Sequence, residues 1–247
     1  MRTTVLLTLS ILLSFSAVAQ YTRQGKIEYE KKTNLYRTMD DMDEDTKEWV
    51  EKFRSQLPKF TVNYFDLYFT PAASLYKPGR ESENAAKIWF SKPPANDNTV
   101  YTDFNTRRVT ATKEIYEQKF LVQDTMRKID WKIMDEVRTI ADYKCRKAVG
   151  IMCDSVYVVA FYTEDIIADG GPEMFSGLPG MIMEVAIPRL FTTWIATKVE
   201  VEPPPASEMK IPTKGKKTTQ GDMYDAVKGT FDRWGNFAQR YIWWTLL

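Results

Sequence analysis

Short segments rich in aromatic and β-branched residues follow one another through the middle of the chain, and their spacing is what most constrains the fold. Such segments are typical of β-strands. Turn-forming residues separate several of them, which leaves no room for the dozen or more residues that a parallel crossover needs. The sequence therefore predicts antiparallel strands at these positions: Lys87–Ser91, Thr99–Phe104, Arg107–Tyr116, Lys119–Asp124, Lys128–Ile133 and Tyr143–Val149.

Further strands are predicted on both sides of this region. Residues 25–33 alternate, with Ile27 and Tyr29 separated by charged residues, as in a strand with one face in water. Apolar or strand-like runs predict three more strands, at Phe60–Thr70, Met181–Ile187 and Thr192–Glu202. Most of the chain is thus expected to be sheet.

Helical spacing occurs near each end of the chain. A short amphipathic helix is predicted before Pro58 from the spacing of four apolar residues: Trp49, Val50, Phe53 and Leu57. A second helix is predicted to begin after Thr219 or Asp222 and to run to about Arg240. The predicted fold class is mainly β (α+β): a curved antiparallel sheet or half-barrel with one short N-terminal helix and one C-terminal helix. Residues 20–247 are expected to form a single domain.

The first residues have the pattern of an export signal. Arg2 precedes an uncharged, mostly apolar run from Val5 to Val18, and small residues stand at the positions that a signal peptidase reads. We therefore expect residues 1–19 to be a signal peptide, cleaved before Gln20. The protein is expected in the periplasm, at the cell surface or secreted, with no transmembrane segment after cleavage because no second long apolar run follows.

Charge and histidine content exclude several function classes. The 34 basic and 33 acidic residues nearly balance, so nucleic acid is not an expected partner. The chain has no histidine, which removes catalytic triads and the common zinc motifs. We expect no enzyme activity, no cofactor and no metal. One alternative stays open, a histidine-independent hydrolase that uses paired carboxylates from this set: Glu164, Asp165, Glu173 and Glu184.

The two cysteines, Cys145 and Cys153, are expected to form a disulfide, because export would place them in an oxidising compartment. If the strands through Tyr143 and Val156 form a hairpin about Val149, the two cysteines face each other across it. The alternative is a pair of free thiols without a redox or zinc role.

Residues 170–188 form the most unusual segment, because glycine and proline interrupt an apolar run. Pro179 and Gly180 suit the centre of a type II turn. One interpretation is a stiff turn that sets the register of the next strand. The other is a contact surface for a ligand or a protein, for which we expect these binding residues: Phe161, Tyr162, Phe175, Gly177, Leu178, Pro179, Gly180, Met181 and Met183.

The segment Gly177–Ile182 resembles the signature of the GLPGLI family of Bacteroidetes, with Met181 where leucine is usual. Two nearby stretches, Ala141–Ala148 and Ala160–Ile166, are similar to other conserved pieces of that family. The resemblance implies an exported protein of no established activity, in some cases encoded near TonB-dependent outer-membrane receptors. It implies no mechanism.

These features predict an exported non-enzymatic binding or accessory protein of the cell envelope, with an outer-membrane receptor or an apolar ligand as partner. A third alternative is a structural protein of the envelope that docks on another chain through its apolar C-terminal tail, Tyr241–Leu247. The same tail is also suited to pack in the protein's own core, which is the favoured interpretation.

Overall fold

The computed structural model describes residues 21–247 except 41, 43, 84, 86–91, 154 and 232–236. The predicted signal peptide, its cleavage site at Gln20 and the predicted strand at Lys87–Ser91 lie outside the described residues.

Within the described residues, twelve strands form one large open sheet. In chain order they are β1 Gly25–Asn34, β2 Phe60–Phe69, β3 Ala73–Pro78, β4 Thr99–Asp103, β5 Arg108–Ile115, β6 Gln118–Thr125, β7 Lys132–Ile140, β8 Tyr143–Met152, β9 Val156–Thr163, β10 Met181–Ile187, β11 Thr192–Glu200 and β12 Lys216–Thr218. The helices are α1 Leu35–Asp40, α2 Glu44–Glu51, α3 Gln220–Phe231 and α4 Phe237–Thr245.

The strand order is β12-β6-β5-β4-β3-β2-β1-β11-β10-β9-β8-β7. Neighbours among the described strands run antiparallel, except that the short β12 pairs with β6 in parallel. The prediction of a mainly β fold is confirmed, as a mixed sheet with few helices. The pairing of β1 with β11 joins the two halves of the sheet.

Strand β1 follows the predicted alternation. Ile27 and Tyr29 are fully buried, and the residues between them are partly exposed. Lys31 occupies the next position on the buried face and is also fully buried. A charged residue at that position requires a buried partner, and Glu173 supplies it.

The N-terminal helical region differs from the prediction. Two short helices, α1 and α2, replace the one amphipathic helix, and a 3₁₀ turn, Arg54–Gln56, follows α2. Only two of the four predicted apolar positions, Val50 and Leu57, are buried there. They join a small cluster with residues of α1, which explains why the chain turns back after Asp40.

Where one helix to about Arg240 was predicted, the described residues contain α3 and α4, and residues 232–236 between them lie outside the description. Thr219 accepts the N–H of Asp222 at 3.1 Å, so of the two predicted caps Thr219 precedes the helix. In the tail, Trp244 packs against Trp194 of β11, with ring centroids 6.0 Å apart, and Leu247 is buried. The tail therefore lies in the protein's own core. No helix within the described ranges has the length and hydrophobicity to cross a bilayer.

Strand β8 is longer than predicted, so its hairpin with β9 turns at another place. It runs to Met152, which pairs with Val156. Cys145 therefore lies near the start of β8 and Cys153 just beyond its end, with about 26 Å between their Cα atoms at ~3.3 Å per residue. Neither cysteine forms a disulfide. The predicted disulfide between Cys145 and Cys153 is wrong.

Candidate functional site

The connection between β9 and β10 is fixed at several main-chain groups. The Gly177 N–H donates to Oδ1 of Asp169 at 2.5 Å, and the indole N–H of Trp131 donates to the carbonyl of Ser176 at 2.9 Å. The Ile182 N–H donates to the carbonyl of Gly170 at 2.8 Å. These bonds hold residues 169–182 against the sheet.

Gly180 requires glycine for two reasons. Its φ is +132°, and a Cβ atom at this position would lie 2.1 Å from the carbonyl oxygen of Thr163. The positive φ agrees with the predicted turn, but the hydrogen bond differs, because the Gly180 N–H donates to the carbonyl of Leu178 at 2.7 Å. A bond over two residues indicates a γ-type turn centred on Pro179 rather than a type II turn.

The apolar residues expected to form a contact surface pack in the core instead. Leu178 is 3% exposed. The others among them are also buried in the main cluster: Phe161, Tyr162, Phe175, Met181 and Met183. Gly177 and Pro179 are exposed and Gly180 is partly exposed. The segment therefore offers solvent its main chain and a proline ring.

A cleft with a volume of about 740 Å³ lies beside this segment. Its lining includes residues 177–180, Phe104 and Ile167, and Ile167 is 47% exposed. Nη1 of Arg107 lies 3.4 Å from Oδ2 of Asp169 at the same cleft. We call it the turn cleft. It combines apolar side chains with an ion pair.

A second cleft, of about 430 Å³, lies on the neighbouring strands. We call it the strand cleft; its lining residues are Asp135, Val137, Lys144, Arg146, Tyr162, Thr163, Glu164 and Asp165. Glu164 lines both clefts. Of the nine expected binding residues, only Tyr162 lines the strand cleft, and residues 177–180 line the turn cleft.

Sequence reasoning named Glu164 and Asp165 but missed the other charged residues of the two clefts. Asp169 directly precedes Gly170-Gly171, and a carboxylate beside a glycine turn is a recognisable signal for main-chain binding. Arg107, in the turn before β5, and Lys144 and Arg146, at exposed positions of β8, carry no such signal, because exposed charged residues are ordinary.

Two of the four carboxylates considered for hydrolysis are buried outside the clefts. Glu173 accepts hydrogen bonds from Asn98 Nδ2 at 2.8 Å and from the Tyr76 hydroxyl at 3.4 Å. Glu184 pairs with Arg138; burial raises the pKa of Glu184, and the Arg138 guanidinium opposes that rise. Glu164 and Asp165 are exposed and share the strand cleft.

Comparison with known proteins gives one partial family match. A family described as "Protein of unknown function (Porph_ging)" matches residues 151–184, which span β9, the fixed connection and the start of β10. No curated protein matches the chain.

Two solved structures of PNGF-II are similar in fold. In one space group the TM-score is 0.53 at 14% identity, over 83% of this chain and 32% of that chain. In the other the TM-score is 0.51 at 13% identity, over 90% of this chain and 33% of that chain. This chain therefore corresponds to about a third of PNGF-II, and the likeness concerns the fold alone. Over residues 151–184 alone, the sequence of this chain is similar to the Porph_ging family.

Proposed function

We propose that the protein is an exported, non-enzymatic binding protein of the cell envelope, related to the GLPGLI proteins and accessory to a TonB-dependent outer-membrane receptor. The sheet, curved as a half-barrel, is the frame, and the turn cleft holds an apolar segment of the receptor. The leader pattern and the GLPGLI resemblance support export and the class of partner.

One observation carries the site. The wall of the turn cleft is fixed by the bond from Gly177 to Asp169 and by the close approach of Gly180 to Thr163. A wall that does not move on binding loses little entropy, which favours recognition of a partner. Ile167 adds an exposed apolar side chain.

The test is affinity capture from the native envelope, read by mass spectrometry. Ile167→Glu places a charge in the turn cleft, and Val201→Glu is the matched control, since Val201 is 59% exposed and does not line that cleft. We expect the unmodified protein and Val201→Glu to capture the same receptor, and Ile167→Glu to lose at least about tenfold of it, because a buried unpaired charge costs more than 1.4 kcal/mol. Equal capture by both variants contradicts the proposal.

The hydrolase alternative keeps one supporting observation, the shared cleft of Glu164 and Asp165. Turnover of any glycoside by the purified protein, abolished by Glu164→Gln, favours this alternative over the binding protein. The tail-docking alternative requires α4 to leave the core, because Trp244 and Leu247 are buried in this chain.

A further inference from the structure

The strand cleft is built on one row of the sheet. Val137 of β7 pairs with Arg146 of β8, and Arg146 pairs with Tyr162 of β9. Lys144 lies two residues before Arg146 on β8, so alternation places it on the same face as the row. Glu164 follows the end of β9 and lines the same cleft. The cleft thus combines four side chains from three strands with Glu164, just beyond β9.

The hydroxyl of Tyr162 is the most informative group in this cleft. Tyr162 is 1% exposed, and its hydroxyl is buried with no hydrogen-bond partner in the structure. A buried hydroxyl without a partner is costly and uncommon. Burial raises the pKa of Tyr162, the Glu164 charge raises it further and the Arg146 charge opposes, so the hydroxyl is neutral and able to donate or accept.

Charges of both signs surround this hydroxyl. Arg146 is engaged, through its Nη2 with Oδ1 of Asp135 at 3.3 Å. The Lys144 ammonium and the Glu164 and Asp165 carboxylates line the cleft without an ion pair or side-chain hydrogen bond among the residues that the structure describes. The cleft therefore holds one uncompensated cation and two uncompensated anions.

We propose that the strand cleft binds a small zwitterion of the class of α-amino acids and short peptides. The ligand ammonium pairs with Glu164 and Asp165, the ligand carboxylate pairs with Lys144, and the Tyr162 hydroxyl gains the hydrogen bond it lacks. A ligand with only a negative charge is repelled by the two carboxylates, and a ligand with only a positive charge is repelled by Lys144. A molecule with both charges can pair with each of these groups. This site shares Glu164 with the turn cleft but is otherwise formed by different residues, and it does not rest on the proposed function.

The test is titration calorimetry of the purified protein with four small probes. Glycylglycine carries both charges, N-acetylglycine only the negative one, glycinamide only the positive one, and glucose neither. We expect saturable binding of glycylglycine with a Kd of about 1 mM, which is ordinary for a ligand of this size. The other three probes are expected to bind at least about tenfold more weakly.

Two variants locate the binding. Tyr162→Phe and Lys144→Met should each weaken glycylglycine at least about tenfold. Their controls are Tyr157→Phe, an exposed tyrosine on the same strand, and Lys217→Met, an exposed lysine of β12, which should bind as the unmodified protein does. Tyr162→Phe should keep or raise the melting temperature, because it removes an unpaired buried hydroxyl.

Three results overturn the proposal. One is no saturable binding of glycylglycine. Another is binding of glucose or of a singly charged probe as tight as that of glycylglycine. The third is glycylglycine binding that neither Tyr162→Phe nor Lys144→Met weakens. Because no envelope partner is present, these results are distinct from a failure of receptor capture.

Discussion

Lys31 and Glu173 form an ion pair in the core, with Nζ and Oε1 3.7 Å apart and side chains 1% and 0% exposed. The Lys31 ammonium also lies 4.8 Å from the ring centroid of Trp244 and donates to the carbonyl of Asn96 at 3.2 Å. Burial lowers the pKa of Lys31, and the charges of Glu173 and Asp97 oppose that shift. The pair links β1 to the fixed connection and to the C-terminal helix.

Removal of one member of this pair should destabilise the fold strongly. We expect Glu173→Gln to lower the free energy of unfolding by about 3 to 5 kcal/mol, because the buried Lys31 charge loses its carboxylate counter-charge. The double variant Lys31→Met, Glu173→Gln should recover a large part of the loss. Urea unfolding measures both, and a single variant as stable as the unmodified protein contradicts the expectation.

The stability contributed by Lys113 should depend on pH. Its Nζ is buried and donates to the main-chain oxygen of Thr245 at 3.0 Å. Burial lowers the pKa of Lys113 to about 7; Arg127 adds to the lowering, while Glu173 and Cys153 oppose it. The unfolded amine keeps its proton to about pH 10.4. Between these values the unfolded chain binds more protons, so the unfolding free energy should rise with pH.

The measurement compares how steeply the unfolding free energy rises with pH in the unmodified protein and in a Lys113 variant. Urea unfolding of the unmodified protein and of Lys113→Met between about pH 7.5 and 9 should show the unmodified protein gaining up to about 1.4 kcal/mol per pH unit relative to the variant. Lys119→Met, at an exposed position, is the control and should keep the slope of the unmodified protein. Parallel profiles for the unmodified protein and Lys113→Met would refute the effect.

Two glycine substitutions should act in opposite directions. Gly180→Ala should lower the unfolding free energy by more than about 1 kcal/mol, because the left-handed φ and the contact with Thr163 both exclude a Cβ atom. Gly229→Ala, within α3 and with nothing within 4 Å of its Cβ position, should raise it by about 0.5 to 1 kcal/mol. Melting temperatures measure both effects, with a decrease expected for Gly180→Ala and an increase for Gly229→Ala. A shift in the same direction for both variants contradicts the prediction.

The two cysteines should not form a disulfide with each other, even when no reductant is present. Reductant should leave the melting temperature unchanged, since no disulfide links Cys145 to Cys153. Burial raises the pKa of Cys145 to about 12, so an alkylating reagent should modify Cys145 only after unfolding. Mass spectrometry of native and unfolded samples gives the readout. A loss of two mass units relative to the reduced chain would show the disulfide after all.

The error in the β8 hairpin has a physical cause in Gly150. A glycine near the centre of a predicted strand pair suggests a turn, yet Gly150 pairs with Val158 inside the ladder. A Cβ atom there would lie 2.6 Å from Cγ2 of Ile129, so the glycine accommodates residues 129–131 packed on the sheet. That contact depends on the tertiary fold, so it cannot be inferred from the residues around Gly150.

Alternation along β1 gave its buried face correctly, and it also places Lys31 on that face. A sequence analysis can therefore flag a buried lysine, but it cannot identify Glu173, which lies in a distant loop with φ +54°. The predicted binding residues show the same limit. Their apolar character is compatible both with burial in the core and with contact to a partner. In the structure, Leu178 and Phe175 are buried in the core.

The position of β1 between β2 and β11 affects the order in which the chain can fold. β2 follows soon in sequence, whereas β11 arrives only after nearly all other strands, and closing so long a loop is entropically slow. Until then one side of β1 presents unsatisfied amide and carbonyl groups that attract any extended peptide nearby. A chain that ends before Thr192 keeps that side open permanently, and such a fragment should aggregate rather than accumulate as a soluble half-protein.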